Sequence, residues 1–449
     1  MSTNISTKPK LCLKLLLTLL VSIGLGTLLL VLAYCIPTDK IIKNTEASIS
    51  TLNEEGLYPF VKGKYYSTLL DNWTDSIIYS ESIYRTGDVL QDAMLNPKRQ
   101  FGDIDPLTNL NEILNNKNAD SDSSIANYPR YWHGNLVLAK PLLSICNIQE
   151  MRTINTIIQL TLIVTLLFLL YKKLNFLYAC SFFGVIMMIN PLVAGRSMQF
   201  SSIQYIMLFA CITLLINKAK LFKNYRDIQL FFLIGIFVAY FDFLTYPVAS
   251  LGIPLLLALS IKSNELKQNN QTTRKEFLSC TKTLIADAAT WTIGYASMWS
   301  AKWLLATMLT GSNVFQDAMN QANFRVSGNV MTNSGMELGE TALRNAALYR
   351  NLILVAETNT IPAFGIFIVL TILLLIFKAY KLKITLDMIV LDIIIAMFPI
   401  VWYMVLKNHS YIHFWMTYRN LTVMTYAAFM IIAESCNPRL RTGDSKIKR

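Results

Sequence analysis

Ten apolar runs of roughly membrane length recur along this chain, and they restrict it to helices. They lie at about 11–36, 153–170, 174–194, 201–217, 228–246, 248–262, 283–306, 361–377, 384–406 and 415–433. A lipid core offers the backbone no hydrogen-bond partners, so segments of about 20 apolar residues span it as helices. Lys and Arg then fall in alternate connections. Lys8, Lys10 and Lys14 precede the first run, and Lys172 and Lys173 follow the second. Lys218–Arg226, Lys262–Lys275 and Lys378–Lys383 continue the series, which ends at Arg439, Arg441, Lys446, Lys448 and Arg449. The alternation is unbroken when both termini are cytoplasmic, as the positive-inside rule requires.

The expected fold is an all-α polytopic cell-membrane protein with about ten transmembrane helices in a single domain over 1–449. Two large loops then lie outside, at 37–152 and 307–360. The first run is about 22 residues long and lacks a small-residue cleavage site, so it is read as a retained helix. Within the second loop, 337–357 has an amphipathic character suited to the membrane interface. The stretch 115–124, rich in Asn, Asp and Ser, reads as a solvated loop.

Composition agrees with this. Of 449 residues, 53% are hydrophobic and 15% charged, against about a quarter charged in a soluble domain. The net charge of +12 comes from cations between apolar runs. Topology and attraction to anionic membrane lipid account for it, and no nucleic acid is called for. The seven cysteines include no CxxC pair, so neither a disulfide framework nor structural zinc is expected. Cys35 and Cys146 are the two nearest the outer boundary. GxxxxGK[ST], GxGxxG after a strand and GxSxG are all absent, which leaves a nucleotide-driven pump or serine hydrolase unsupported.

The chemistry-bearing motifs fall on the outer side. In LDNWTD (70–75), Asp71 and Asp75 share a face if the segment is helical. They suit a general base with its orienting partner, or metal ligands; equally, Asp71 suits a helix N-cap. YPRYWHG (128–134) gathers Arg130, Tyr131, Trp132 and His133, either as an interfacial aromatic belt or as a surface for sugar rings and phosphate. Asp242 sits near the outer end of the fifth run, inside it or at the water boundary. His409 and His413 in NHSYIHFW are spaced i,i+4. That spacing suits zinc, but no HExxH glutamate or third ligand accompanies them. Hydrogen bonding to an anion beside Arg419 fits better, and Arg196 is a further phosphate candidate. Asp287, Asp387 and Asp392 lie near cytoplasmic ends and are given structural roles.

A sugar transfer outside the cytoplasm needs a lipid-carried donor, cations for its phosphate and a carboxylate for the acceptor hydroxyl. With DNWTD (71–75) in a long first outer loop, the layout resembles the GT-C superfamily of integral-membrane glycosyltransferases. RYWHG (130–134) and NHSYIHFWMTYR (408–419) resemble motifs of bacterial proteins of cell-surface glycan assembly. The acidic motif departs from the family pattern by following the first span at a distance of about 35 residues. The resemblance implies a polyprenyl-phosphate sugar donor, a surface-glycan or lipid-linked acceptor, and inversion at the anomeric carbon. Asp71 or Asp75 would be the base. Arg419, with Arg130, Arg196, His409 or His413, would hold the donor phosphate, and a divalent metal ion is an alternative for that task. Tyr131, Trp132, His133 and Asp242 would face the sugar or acceptor, and the loop 307–360 would order over the substrates. Competing classes are a lipid-linked oligosaccharide flippase, a glycan polymerase or a non-catalytic assembly partner.

Overall fold

The computed structural model describes residues 7–116, 123–327, 330, 337–357 and 386–435. The expected span at 361–377, the middle of the 115–124 stretch and the basic residues after 435 lie outside these. Among the described residues the chain is predominantly helical, and every other expected span falls on a helix.

Four helices are long and apolar enough to cross a membrane: Pro9–Cys35, Ile148–Lys173, Met198–Ile216 and Met388–Val405. The first is peripheral. Leu13, Leu16, Leu17, Leu20 and Val21 on it are all exposed, as a lipid-facing surface would be. Val248–Gln268 is the opposite case, with every side chain from Val248 to Ile261 buried. A helix that is apolar all round belongs at the centre.

Several expected spans are interrupted, each for a local reason. The run at 174–194 divides into Phe176–Ile189 and Pro191–Arg196, because Asn190 adopts φ 62° and Pro191 opens the next helix. The run at 384–406 turns at Met397, just ahead of Pro399. The run at 415–433 keeps only Thr422–Ser435 as its long helix, after the short helices Phe414–Thr417 and Tyr418–Leu421. In contrast, Thr273–Thr310 extends 38 residues, beyond both ends of the run at 283–306.

The described residues of the segment expected to form the first outer loop make a helical layer. It comprises Thr38–Glu55, Asn72–Ile83, Val89–Leu95, Pro106–Asn115 and Leu136–Leu143. Local chemistry sets the boundaries: Asp88 and Asp105 cap their helices through N–H groups two and three residues on, and Asn147 forms a capping box with Glu150. One departure from all-α is a two-stranded antiparallel ribbon, Pro97–Gln100 with Ser124–Asn127, in which Pro97 faces Asn127. Leu30 and Tyr34 from the first long helix share a core with Ile41, Leu52, Ile78, Leu110 and Trp132 of the layer. The layer and the long helices are therefore one packing unit. Cys35 and Cys146 are free thiols.

The helices Arg226–Phe241 and Thr273–Thr310 approach each other through glycine. A Cβ on Gly235 would lie 2.1 Å from the Trp291 carbonyl oxygen, and one on Gly294 would lie 2.3 Å from that of Phe232. Small residues let helix backbones meet in this way. Gly235→Ala should therefore cost about 1–3 kcal/mol through overpacking, read as a lower melting temperature of the purified protein. An unchanged melting temperature would show that the two backbones separate freely.

Candidate functional site

Asp71 and Asp75 open the Asn72–Ile83 helix. Asp71 is its N-cap, as one sequence alternative had it. Thr74 donates to it from its N–H (3.1 Å) and its hydroxyl (2.9 Å). Asp75, one turn on, faces the start of Met198–Ile216. It accepts long hydrogen bonds from the Ser197 hydroxyl and the Met198 N–H, both at 3.4 Å. Both carboxyls are 1% exposed. Burial pushes Asp71 up to about 6, against the Thr74 hydrogen bonds that lower it. Burial pushes Asp75 up to about 7, with Asp71 adding to the rise and Arg152 opposing it.

This pair is held by an ion pair between the buried Arg152 and the partly exposed Glu55. Arg152, at the start of Ile148–Lys173, donates from Nη1 to both Glu55 carboxylate oxygens (3.1 and 2.9 Å) and from Nη2 to the Asn72 Oδ1 (2.8 Å). Asn72 in turn donates to Glu55 (3.0 Å) and to the Gly56 carbonyl (2.8 Å). Above the carboxylates lie aromatic rings. Tyr58 stacks on Trp73 with centroids 6.3 Å apart and meets Trp415 edge-on at 5.4 Å. Tyr58 and Trp73 keep 37% and 38% of their surface exposed.

Trp415 brings in the third motif. Its ring contacts that of His413 at 5.4 Å, and His413 lies 4.8 Å from His409. His409 Nε2 faces the Leu244 carbonyl at 2.7 Å and must donate there, so Nδ1 accepts from the Arg325 guanidinium. That leaves His409 neutral, in keeping with a pKa held well below the usual value by burial and then by Arg325. Burial, then Arg325, holds His413 down to about 3. Both His409 nitrogens are engaged, so the His409–His413 pair does not present two free metal ligands. Among the described residues no group of three or more His, Cys, Asp or Glu is placed to hold a metal ion.

Arg419 is fully buried (0% exposed). Its Nε donates to the Ile189 carbonyl (3.1 Å) and its Nη1 to that of Trp415 (2.8 Å), and its guanidinium lies 4.3 Å from the Phe200 ring centroid. Its Nη2 has no hydrogen-bond partner. Phe200 is two residues beyond Met198, which touches Asp75. The structure thus brings DNWTD and NHSYIHFWMTYR to one place. Arg196, on the preceding turn, is exposed.

The RYWHG motif lies elsewhere than a binding surface would require. Tyr131 and Trp132 are 2% and 1% exposed. Trp132 donates to the Met298 carbonyl (2.7 Å), and Tyr131 packs on Phe243 and Trp299. They are core residues instead of an open platform for sugar. Arg130 is paired with Asp317 (2.9 Å). Asp242 is 3% exposed and caps its own turn by accepting from the Thr245 N–H and hydroxyl. His133, at φ 57°, is clamped between Glu81 (Nδ1, 2.8 Å) and the Tyr128 carbonyl (Nε2, 2.8 Å).

Sequence reasoning missed Glu81, Arg152 and Arg325. Glu81 had one visible signal. Ser76, Ser80 and Ser82 surround it with small polar residues where a solvated helix would carry charge, which marks a helix packed on several sides. Arg325 has no comparable cue, yet its Nη2 donates to the Tyr131 hydroxyl at 3.0 Å and its Nη1 to His409, joining YPRYWHG to the last motif. Glu340–Glu357, expected at the membrane interface, instead packs on the last motif. Asn351 donates to the Ser410 carbonyl (2.9 Å) and accepts from Thr417 (2.7 Å), and Arg350 lies 4.2 Å from the Phe414 ring centroid. A comparison with protein families, curated proteins and solved structures finds no match for this chain.

The raised carboxyls fix a sign. The folded protein binds these protons to higher pH than the unfolded chain does. Their contribution to stability is therefore fully present below about pH 4 and lost as pH rises through about 7. Asp75→Asn keeps the shape without the charge. It should raise the melting temperature at pH 8 by about 3 °C or more and change it little at pH 4, as followed by thermal unfolding in detergent. A loss of stability at pH 8 would contradict the cost assigned to burying this carboxylate.

Proposed function

We propose that this chain is a polytopic membrane glycosyltransferase of the GT-C type, with about ten spans and both termini cytoplasmic. It moves a sugar from a polyprenyl-phosphate donor to a surface-glycan or lipid-linked acceptor on the extracytoplasmic face. One observation carries this reading: the Asp75 carboxyl, with only long contacts, touches Met198, and the under-partnered Arg419 guanidinium packs on Phe200 two residues along the same helix start.

In the proposed step, Asp75 takes the acceptor hydroxyl proton as that oxygen attacks the anomeric carbon. The bond from that carbon to the lipid phosphate breaks, and the phosphate leaves with the electron pair, inverting the centre. Arg419, desolvated and fixed by two carbonyls, stabilises the developing phosphate charge. Asp75 suits the base better than Asp71. Its own contacts are long, whereas both Asp71 oxygens are committed to Thr74. Asp71 then sets the helix start and raises Asp75. The exposed rings of Tyr58 and Trp73 offer a stacking surface for sugar, in place of the buried Tyr131 and Trp132. The described residues present no metal ligand set of three, and the step uses none.

Transport of a lipid-linked glycan is a second reading, favoured by one residue. Asp287, inside Thr273–Thr310, is 0% exposed and neither carboxyl oxygen has a hydrogen-bond partner. Ionisable residues buried in spans often mark a transport path.

The test is glycan analysis of cells lacking the protein and complemented at equal membrane abundance, together with transfer assays on the purified enzyme. Asp75→Asn should lower transfer about 10²–10⁴-fold, while Asp287→Asn leaves it within a few-fold. Wild-type transfer should rise with pH through about 7, as the base loses its proton. Full rescue by both Asp71→Asn and Asp75→Asn would sink the transferase reading. Loss with Asp287→Asn alone would move it to transport.

A further inference from the structure

The helix Val314–Ser327 is amphipathic in the inverted sense. Phe315, Met319, Ala322 and Val326 recur at i, i+4, i+7 and i+11, which places them on one face. That face is exposed: Phe315 keeps 50% of its surface, and Met319 and Val326 keep 38% each. Phe324, about half-way round the helix from Phe315, is a further exposed apolar residue at 49%, and a third side carries the polar contacts. Val314 and Ala318 are buried there, Asp317 pairs with Arg130, and Arg325 reaches Tyr131 and His409. A helix in contact with water would turn its charges outward and its apolar side chains inward.

We infer that Val314–Ser327 is seated on the outer membrane surface, with Phe315, Met319 and Val326 inserted among phospholipid chains. The inference rests on the membrane placement of Thr273–Thr310 proposed above. The stripe continues that helix's exposed apolar end. Leu304 and Met308 are 58% and 79% exposed, and the Trp303 ring touches Phe315 at 6.0 Å. Trp303 also donates to the Arg130 carbonyl at 2.9 Å, the position of a ring with one apolar side and one polar bond, which is typical of membrane boundaries. The residues flanking the stripe are the uncharged amides Gln316, Asn320 and Asn323. No Lys or Arg flanks it, so the lipid it takes is recognised by its acyl chains and not by an anionic headgroup.

The test uses the full chain in phosphatidylcholine nanodiscs. The photo-crosslinker p-benzoyl-phenylalanine replaces one residue at a time, at Met319 on the stripe, Asn320 off it, or Ile293, an exposed position within Thr273–Thr310. Phe315 is a second stripe position should the variant at 319 fail to fold. Lipid adducts are read by mass spectrometry after irradiation. The expected result is adducts at 293 and 319, with at least about tenfold less at 320, unchanged by added salt or by anionic lipid. Adducts at 293 without 319 or 315 overturn the interfacial seat and leave the span intact. Adducts at none of these positions overturn both. Equal adducts at 319 and 320 overturn the one-sided orientation.

Discussion

The Arg152 guanidinium fixes the geometry on which the outer face depends. Through Glu55 and Asn72 it ties the Thr38–Glu55 and Asn72–Ile83 helices to the membrane-length helix Ile148–Lys173. A guanidinium suits this position because its planar fork can serve a carboxylate and an amide oxygen together. Removing a partner from such a group leaves charge unmatched in a desolvated place, which is worth several kcal/mol. The start of the Asn72–Ile83 helix is therefore held more firmly than hydrogen bonds among neutral groups would hold it. Asp71 and Asp75 inherit that placement.

Arg325 does for the second outer segment what Arg152 does for the first. It donates to Tyr131 and His409, residues nearly 300 positions apart in sequence. His409 accepts because its other nitrogen is already spent on the Leu244 carbonyl, so the tautomer is decided by the backbone and not by pH. Glu340–Glu357 supports the same region from the other side, through Asn351 and Arg350. The described residues of the segments around Asn72–Ile83, Val314–Ser327, Glu340–Glu357 and 407–421 thus meet in one polar layer at the ends of the long helices.

Much of this architecture was legible in the residues. Apolar length predicted where helices lie, because backbone satisfaction in lipid depends on length and composition alone. Interruptions were less legible. Asn190 and Met397 break apolar runs through backbone conformation, which a hydropathy window averages away. At the site, the pairing of Asp71 with Asp75 followed from helical periodicity, and the Asp71 cap was one of two open alternatives. The burial of Tyr131 and Trp132 is not legible in the motif. An aromatic cluster beside a span reads equally as a surface or as a core, and only tertiary contacts with Met298, Phe243 and Trp299 separate the two. Arg152, Glu81 and Arg325 could not be singled out, since each acquires its meaning from a partner about 50 to 200 residues away.

Those partners also separate structural charges from candidates for chemistry. Lys302 is 0% exposed and has three oxygen acceptors, from Ala93, Met94 and Asn96, at 2.9–3.2 Å. Lys140 has the Ser82 carbonyl and the Tyr34 ring, and His133 has Glu81 and Tyr128. Buried groups this well matched gain little from a ligand and lose much if moved, so they hold the layer together. Asp75 and Arg419 are buried as deeply but are matched poorly, by 3.4 Å contacts in one case and by an unpaired Nη2 in the other. Desolvation has already been incurred at both, with only part of it compensated by the bonds present. A substrate that brings a hydroxyl to one and an anionic oxygen to the other would supply those bonds. In a water-poor setting each would be stronger than in solution, which favours these two residues over His409, whose ring nitrogens are both already bonded.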